Sequence, residues 1–293
     1  MNICISNLHV PIDDIALVPS ARLAMCQTPE SVTGDVHWMA IENGNVYLNH
    51  AGGIAKFLVS GGRQIDFEIA PDISEQDLQC MLMSAPMGAL IHQRGELPIH
   101  GAGLVSPKND GVTVIVGNCG AGKSTTSAAL ANQGWHLIAD DICRISPSPQ
   151  QDETGELVVH RGYTRIKLTD DACGRLGFDS SILPRVSSFV DKYFWEAPHI
   201  GGPEYAPKRL ILLHRPSGTA ALEWGRCVGE VAIRALMPHI YAPNIGSTIN
   251  AQNSMFLLSR LVQIASVYVL FIPAGVGPKE VADEITRFIH EDE

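Results

Sequence analysis

Residues 117–124 read Gly-Asn-Cys-Gly-Ala-Gly-Lys-Ser, the spacing G-x-x-x-x-G-K-S, and they follow the β-branched run Val112-Thr-Val-Ile-Val116. A loop of this composition wraps phosphate oxygens. Gly117, Gly120 and Gly122 let the backbone curl so that N–H groups along Gly117, Asn118, Cys119, Gly120, Ala121, Gly122, Lys123, Ser124 and Thr125 turn inward. Lys123 has the reach of the β- and γ-phosphates, and Ser124 offers a hydroxyl to magnesium. The stretch Ser124-Thr-Thr-Ser-Ala-Ala-Leu-Ala131 opens a helix whose positive end faces the anion. The pattern predicts binding of a nucleoside triphosphate or a close relative.

Chemistry on that ligand needs an acidic group for the metal and one to orient or deprotonate a nucleophile. Such a group ends a second apolar strand beside the loop, and Leu137-Ile138-Ala139-Asp140-Asp141 supplies it. The later strands Arg209–His214 and Val267–Pro273 end without a carboxylate. Neighbours on an extended backbone point to opposite faces. One aspartate therefore serves the metal while the other, by a twist at the strand end, takes a proton from an incoming hydroxyl, and the sequence leaves open which does which. A second pair, Asp170-Asp171 after Thr169, reads as a helix cap with first-turn charge and no chemistry. His100, in Leu97-Pro-Ile-His-Gly-Ala-Gly-Leu-Val105, precedes a glycine that allows close backbone approach, which makes it a candidate to face the γ-phosphate. Tyr163, Arg165 and Lys167 alternate with Thr164, Ile166 and Leu168, so one strand face is basic and aromatic. An anionic substrate end or plain solvent suits that face. Lys192 and Arg209 are cations without an assigned place.

The elements that must hold these residues follow from periodicity and turn chemistry. Residues 36–70 read as two hairpins around Asn43-Gly44 and Gly61-Gly62, dipeptides that supply positive φ. Ser74 and Asp77 open a helix that Pro86 kinks or splits and Gly95 ends. From Leu97 the pattern becomes α/β: strands 97–105, 112–116 and 136–140, helix 123–133, strand-like 162–168, then strand 209–214, helix 252–265, strand 267–272 and helix 278–289. Residues 147–156 are a surface loop or hairpin tip, and 180–208 and 216–248 carry no clear pattern. The expected division is a β-rich module over 1–95 and a phosphate-loop domain over 96–293.

The 293 residues carry 21 Lys and Arg against 31 Asp and Glu, a formal charge of −10 that argues against nucleic acid and anionic membrane surfaces as partners. Seven scattered cysteines include no C-x-x-C pair, so neither a zinc site nor a disulfide framework is expected. Reduced thiols and the lack of a leader or long apolar run lead to an expectation of a cytoplasmic protein.

Ile99-His100-Gly101, Gly117–Ser124 and Ile138-Ala139-Asp140-Asp141, in this order and spacing, resemble the catalytic core of the HPr kinase/phosphorylase family. Those are bacterial serine kinases with a P-loop fold akin to phosphoenolpyruvate carboxykinase. The resemblance is clear over residues 97–145. It implies ATP- and Mg²⁺-dependent transfer to a serine hydroxyl of a peptide or small protein, with His100, Lys123, Asp140 and Asp141 catalytic, Ser124, Asp140 and Asp141 toward the metal, and self-association of the chain. The family's glutamate-x-arginine-glycine signature has Val159-His160-Arg161-Gly162 as its nearest counterpart. It lacks the glutamate, so the reverse, phosphate-removing reaction is not expected. The approach Gln93 to Gly101 and the strand Gly162–Leu168 are similar to a divergent branch that phosphorylates the C-terminal serine of lasso-peptide precursors. A small-molecule kinase and a non-catalytic nucleotide-sensing module are the alternatives.

Overall fold

The computed structural model describes residues 22–25, 39–50, 54–108, 111–148, 156–202 and 204–291. Trp38, Cys4, Cys26 and the loop tip 149–155 lie outside them. The fold is mixed α/β with a β-rich N-terminal sheet. Strands β1 (Arg22–Met25), β2 (Met39–Glu42), β3 (Asn45–His50), β4 (Ala55–Ser60) and β5 (Gln64–Ile69) form one sheet in the order β1-β5-β4-β3-β2. Both expected hairpins are present. Asn43 and Gly44 turn β2 into β3, and Gly61 and Gly62 turn β4 into β5, all four at positive φ.

Helices α1 (Glu75–Leu82) and α2 (Ala85–Gln93) cover this sheet, with Pro86 at the first turn of α2 rather than inside a continuous helix. Ser74 caps α1 by accepting from the Asp77 N–H at 3.1 Å. Their apolar faces, including Leu78, Met81, Leu90 and Ile91, close a core with Val46, Phe57 and Ile65. That core also contains Ile142, Tyr163, Val186 and Phe194, so it runs across the division after residue 95.

The second sheet has nine strands: β6 (Leu97–Val105), β7 (Val112–Gly117), β8 (His136–Ala139), β9 (Ile142–Pro147), β10 (Leu157–His160), β13 (Glu204–Tyr205), β14 (Pro207–His214), β15 (Glu223–Cys227) and β16 (Ser266–Phe271). Between them, β11 (Arg165–Leu168) and β12 (Tyr193–Glu196) make a separate antiparallel pair. The sheet runs β13-β10-β9-β6-β7-β14-β16-β15, with β8 also on β6. β7 is buried at every residue and lies parallel to β14, which is why its sequence is continuously apolar rather than alternating. Helix α3 (Lys123–Asn132) packs its alanine-rich side beneath helix α8 (Pro278–Glu291), whose Val281, Ala282, Ile285 and Ile289 are buried.

Helix α4 (Asp170–Leu176) starts at Thr169, whose hydroxyl accepts from the Ala172 N–H, as the sequence predicts for Asp170-Asp171. The unpatterned stretches hold β12, β13, β15 and two short helices, α5 (Gly229–Leu236) and α6 (Pro243–Ile249), and α7 (Ala251–Ile264) follows. Among the described residues no helix is long and apolar enough to cross a membrane.

The aspartate-bearing strand reaches the loop without being the neighbour of the phosphate-loop strand. β6 stands between β7 and β8 and is antiparallel to both.

Candidate active site

The loop over residues 117–124, named the phosphate loop for its sequence pattern, has the backbone its glycines allow. Gly117, Gly120 and Gly122 have φ of 154°, 80° and 98°, values that side-chain-bearing residues rarely adopt. The first N–H groups of α3 have no carbonyl partner within their own helix, as at any helix start, which leaves them for an anion. The Lys123 ammonium donates to the Gly117 carbonyl at 2.8 Å. Burial pushes its pKa down, while the nearby Cys119, Asp141 and Asp140 act in the opposite direction.

A cleft of about 800 Å³ opens over this loop, and Asn118, Cys119, Gly120, Ser124 and Thr125 line it. Gly117 and Ala121 stand behind the lining: a side chain on Gly117 would meet the Leu213 carbonyl at 2.8 Å and the Ala121 methyl at 3.1 Å. His100, Lys123, Asp140 and Asp141 line the same cleft, so the structure brings the three sequence motifs together.

The two aspartates are not on an extended backbone. The Ile142 N–H donates to the Asp140 carbonyl at 2.8 Å, and Asp141 between them has φ 69°. This is a three-residue γ-turn with a non-glycine residue in the left-handed region, a conformation that costs on the order of 1–3 kcal/mol. It corrects the expectation of opposite-facing neighbours, because the turn aims both carboxylates into one cleft. The strand does not lose register at the bend: Ala139 pairs with Gly103 and Ile142 with His100, leaving the aspartates opposite Ala102 and Gly101. The Asp140 N–H instead donates to the Tyr163 carbonyl at 2.7 Å. Gly101 permits a close approach of β6 to β7, since a Cβ there would sit 2.6 Å from the Ile115 carbonyl oxygen.

Electrostatics separates the pair. Asp141 accepts from the Lys167 ammonium at 2.9 Å and lies 3.4 Å from His100 Nε2. Burial opposes its charge, but the His100 bond and Lys167 hold it well below the usual carboxylate range. Asp140 is buried, and desolvation first and the Asp141 charge second push it up to about 6. Lys167 is held protonated: burial lowers its pKa, and the Asp141 contact more than compensates. His100 also packs edge-on against Tyr241, ring centroids 5.5 Å apart.

The basic strand face is accordingly not a plain solvated surface. Lys167 turns to Asp141, whereas Arg165 lies over the rings of Tyr163 and Phe194 at 4.9 and 4.6 Å. Tyr163 precedes β11 and is buried.

Several cleft residues carried no assignment in the sequence. Arg215, immediately after β14, donates to the Ala121 carbonyl at 3.1 Å and lies 3.3–3.4 Å from the Val276 and Pro273 carbonyls, tying the phosphate loop to the segment before α8. Arg175 and Asp171 line the wall and pair with each other at 2.9 Å, so Asp171 reaches the cleft from a helix cap. Lys192 lines the cleft, whereas Arg209 is buried in β14. A signal for Arg215 existed: a cation directly follows the strand that runs parallel beside the phosphate-loop strand.

Away from the cleft, Ser146 Oγ, His160 and Glu204 line up at 2.7 and 3.4 Å, in the order of a hydrolase triad. Burial and the nearby Arg144 and Arg94 charges push His160 down to about 3, so it is neutral at pH 7, and Ser146 and His160 are both buried. The cluster is a packed cross-strand network. Val159, read in the sequence as the nearest counterpart of the resembled family's signature glutamate, is core.

No family model matches the sequence, and no curated protein matches it. Among solved structures the chain is similar to the Hpr(Ser) kinase/phosphatase from Coxiella burnetii, at 16% identity and a TM-score of 0.34, over 67% of this chain and 93% of that one. A likeness of that depth assigns neither fold nor activity.

Proposed function

We propose that the chain is an ATP-dependent kinase that transfers the γ-phosphoryl group to a serine hydroxyl of a peptide or small protein. The observation that carries this reading is the γ-turn at Asp140–Asp141, which aims two carboxylates of opposite electrostatic character into the cleft over the phosphate loop. The N–H groups at the start of α3 and the Lys123 ammonium would take the β- and γ-phosphates. The serine oxygen attacks the γ-phosphorus, the bond to the β–γ bridging oxygen breaks, and ADP leaves. Asp141, fixed by His100 and Lys167, would accept the hydrogen bond of the incoming hydroxyl and orient its oxygen, and the hydroxyl proton passes to the transferred phosphoryl oxygens as the ester forms. Lys123 spreads the charge that develops on the transferring group.

A magnesium ion fits the remaining donors. Asp140 is a desolvated carboxylate that makes no ion pair among the described residues, and the Ser124 hydroxyl lines the same cleft. Together these two would hold the ion, which would supply charge neutralisation at the phosphates. Among the described residues no group of three His, Cys, Asp or Glu side chains forms a metal cage of its own. The C-terminal serine of a lasso-peptide precursor is one acceptor of the proposed class.

The test is incubation with ATP, magnesium and serine-bearing peptides, read by mass spectrometry. Phosphate on a peptide serine supports the reading, and its absence from Lys123→Ala and Asp141→Asn controls assigns it to this cleft. Phosphate found on a metabolite instead makes the chain a small-molecule kinase. Nucleotide binding with no transfer to any acceptor makes it a sensor.

A further inference from the structure

We propose that Lys192 is a ligand of the γ-phosphate, held in place across the cleft by Asp77 of the N-terminal helix α1. This rests on the kinase reading above. Residues 184–194 form a closed loop: the Val186 N–H donates to the Lys192 carbonyl, the Lys192 N–H to the Val190 carbonyl, and the Phe194 N–H to the Pro184 carbonyl, each at 2.8 Å. Val186, Val190 and Lys192 line the cleft wall facing the phosphate loop.

The loop does not hold itself there. Asp77, 111 residues away in sequence, accepts from the Ser188 N–H at 2.6 Å and from the Ser188 hydroxyl at 3.0 Å, and also from the Ser74 hydroxyl at 2.7 Å. Gln76 adds a bond to the Arg185 carbonyl. Asp77 is buried, and although desolvation opposes its charge, these bonds hold its carboxyl below the ordinary value.

Charge pairing in the cleft singles out Lys192. Of the acidic groups lining it, Asp141 is taken by Lys167 and Asp171 by Arg175, while Asp140 makes no ion pair among the described residues. Among the described residues the Lys192 ammonium has neither an ion pair nor a hydrogen bond, although it stands close enough to Lys123 to feel its charge. Lys123 and Lys192 are two cations lining one cleft, and an anion between them is attracted by both. A triphosphate tail on Lys123 places its outermost group in that gap. Lys192 therefore adds a cation that reads the third phosphate, and Asp77 is its positioning residue.

The experiment compares magnesium complexes of ADP and of the β,γ-imido triphosphate by calorimetric titration. Lys192→Met is expected to weaken the triphosphate about tenfold, the loss of one charge-assisted hydrogen bond, and to leave ADP within about twofold. Lys192→Arg should keep most of the preference for the triphosphate. Asp77→Asn should shift the triphosphate/diphosphate ratio in the same direction as Lys192→Met. Equal losses for both nucleotides, or none, in Lys192→Met overturn the assignment, and an unchanged ratio in Asp77→Asn overturns the clamp. If the wild-type chain binds neither nucleotide, the kinase reading fails. If it binds both in a Lys123-dependent way while Lys192→Met is unaffected, only the present proposal fails.

Discussion

Asp140 and Asp141 are adjacent, yet their neutralisation should move stability in opposite directions. Asp140 has an ordinary carboxyl value of 3.8 and is pushed up to about 6 by burial and by its neighbour's charge. A native value above the unfolded one means that the folded state binds the proton more tightly. Stability from this group is therefore full below pH 4 and is lost as pH rises through about 6. The two-unit difference corresponds to roughly 3 kcal/mol against folding at neutral pH. Asp140→Asn removes that term. The variant should gain up to roughly 3 kcal/mol at pH 7, or about 5 °C in melting temperature for a chain of this size, and almost nothing at pH 4.

For Asp141 the sign reverses, because His100 and Lys167 hold its carboxyl below the ordinary value. Its contribution is present above about pH 4 and is lost as pH falls toward its native value. Asp141→Asn leaves the largely buried Lys167 ammonium without the carboxylate at 2.9 Å, so this variant should melt lower than wild type at pH 7. Thermal melts of the three nucleotide-free proteins at pH 4, 5, 6, 7 and 8 read both effects directly. A lower melting point for Asp140→Asn at pH 7, or a gain that does not change with pH, would refute the claim that its carboxylate is desolvated beside a second negative charge. Both variants should lose phosphoryl transfer, so a more stable but inactive Asp140→Asn separates folding from function.

Three further outcomes follow from the same geometry. Phosphoryl transfer should climb about tenfold per pH unit on the acid side and level off at or below about pH 6, because Asp140 has to be ionised to act; a profile still rising at pH 8 would contradict this. Gly101→Ala drives a methyl to 2.6 Å from the Ile115 carbonyl oxygen in the middle of the sheet. It should cost about 2–4 kcal/mol by urea denaturation, and an unchanged midpoint would show that β6 and β7 are not so close. Arg215→Met cuts the tie between the phosphate loop and the segment before α8. Nucleotide affinity should fall about tenfold with little change in melting temperature, and equal affinity in a titration would leave Arg215 without a role in the loop.

The parts of this molecule legible in the sequence are those whose conformation is decided within a few residues. Asn43-Gly44 and Gly61-Gly62 need positive φ wherever they stand, and Ser74 and Thr169 cap helices through bonds three residues long. The phosphate loop is of the same kind. What escaped is set by tertiary pairing. Asp77 reads as part of a local cap, while two of its bonds go to Ser188. Arg215 and Lys192 sit on loops whose course depends on the strands around them. Asp141 carries a left-handed backbone that no local signal announces, since it is not glycine.

Pairing geometry also explains why three short motifs, far apart in sequence, share one cleft. β6 runs antiparallel both to β7 and to the β8–β9 ladder. Its His100–Gly101 step therefore falls beside the C-terminal end of β7, where Gly101 pairs with Val116, and beside the end of β8, where the chain turns at Asp140–Asp141. A parallel β6 would place His100 at the opposite end of the sheet from the phosphate loop. The search for an acidic group should therefore not stop at the immediate neighbour of the loop strand. In this order of strands the neighbour on one side brings the histidine and the strand beyond it brings the carboxylates. The neighbour on the other side, β14, ends at His214, and Arg215 directly after it delivers a cation instead.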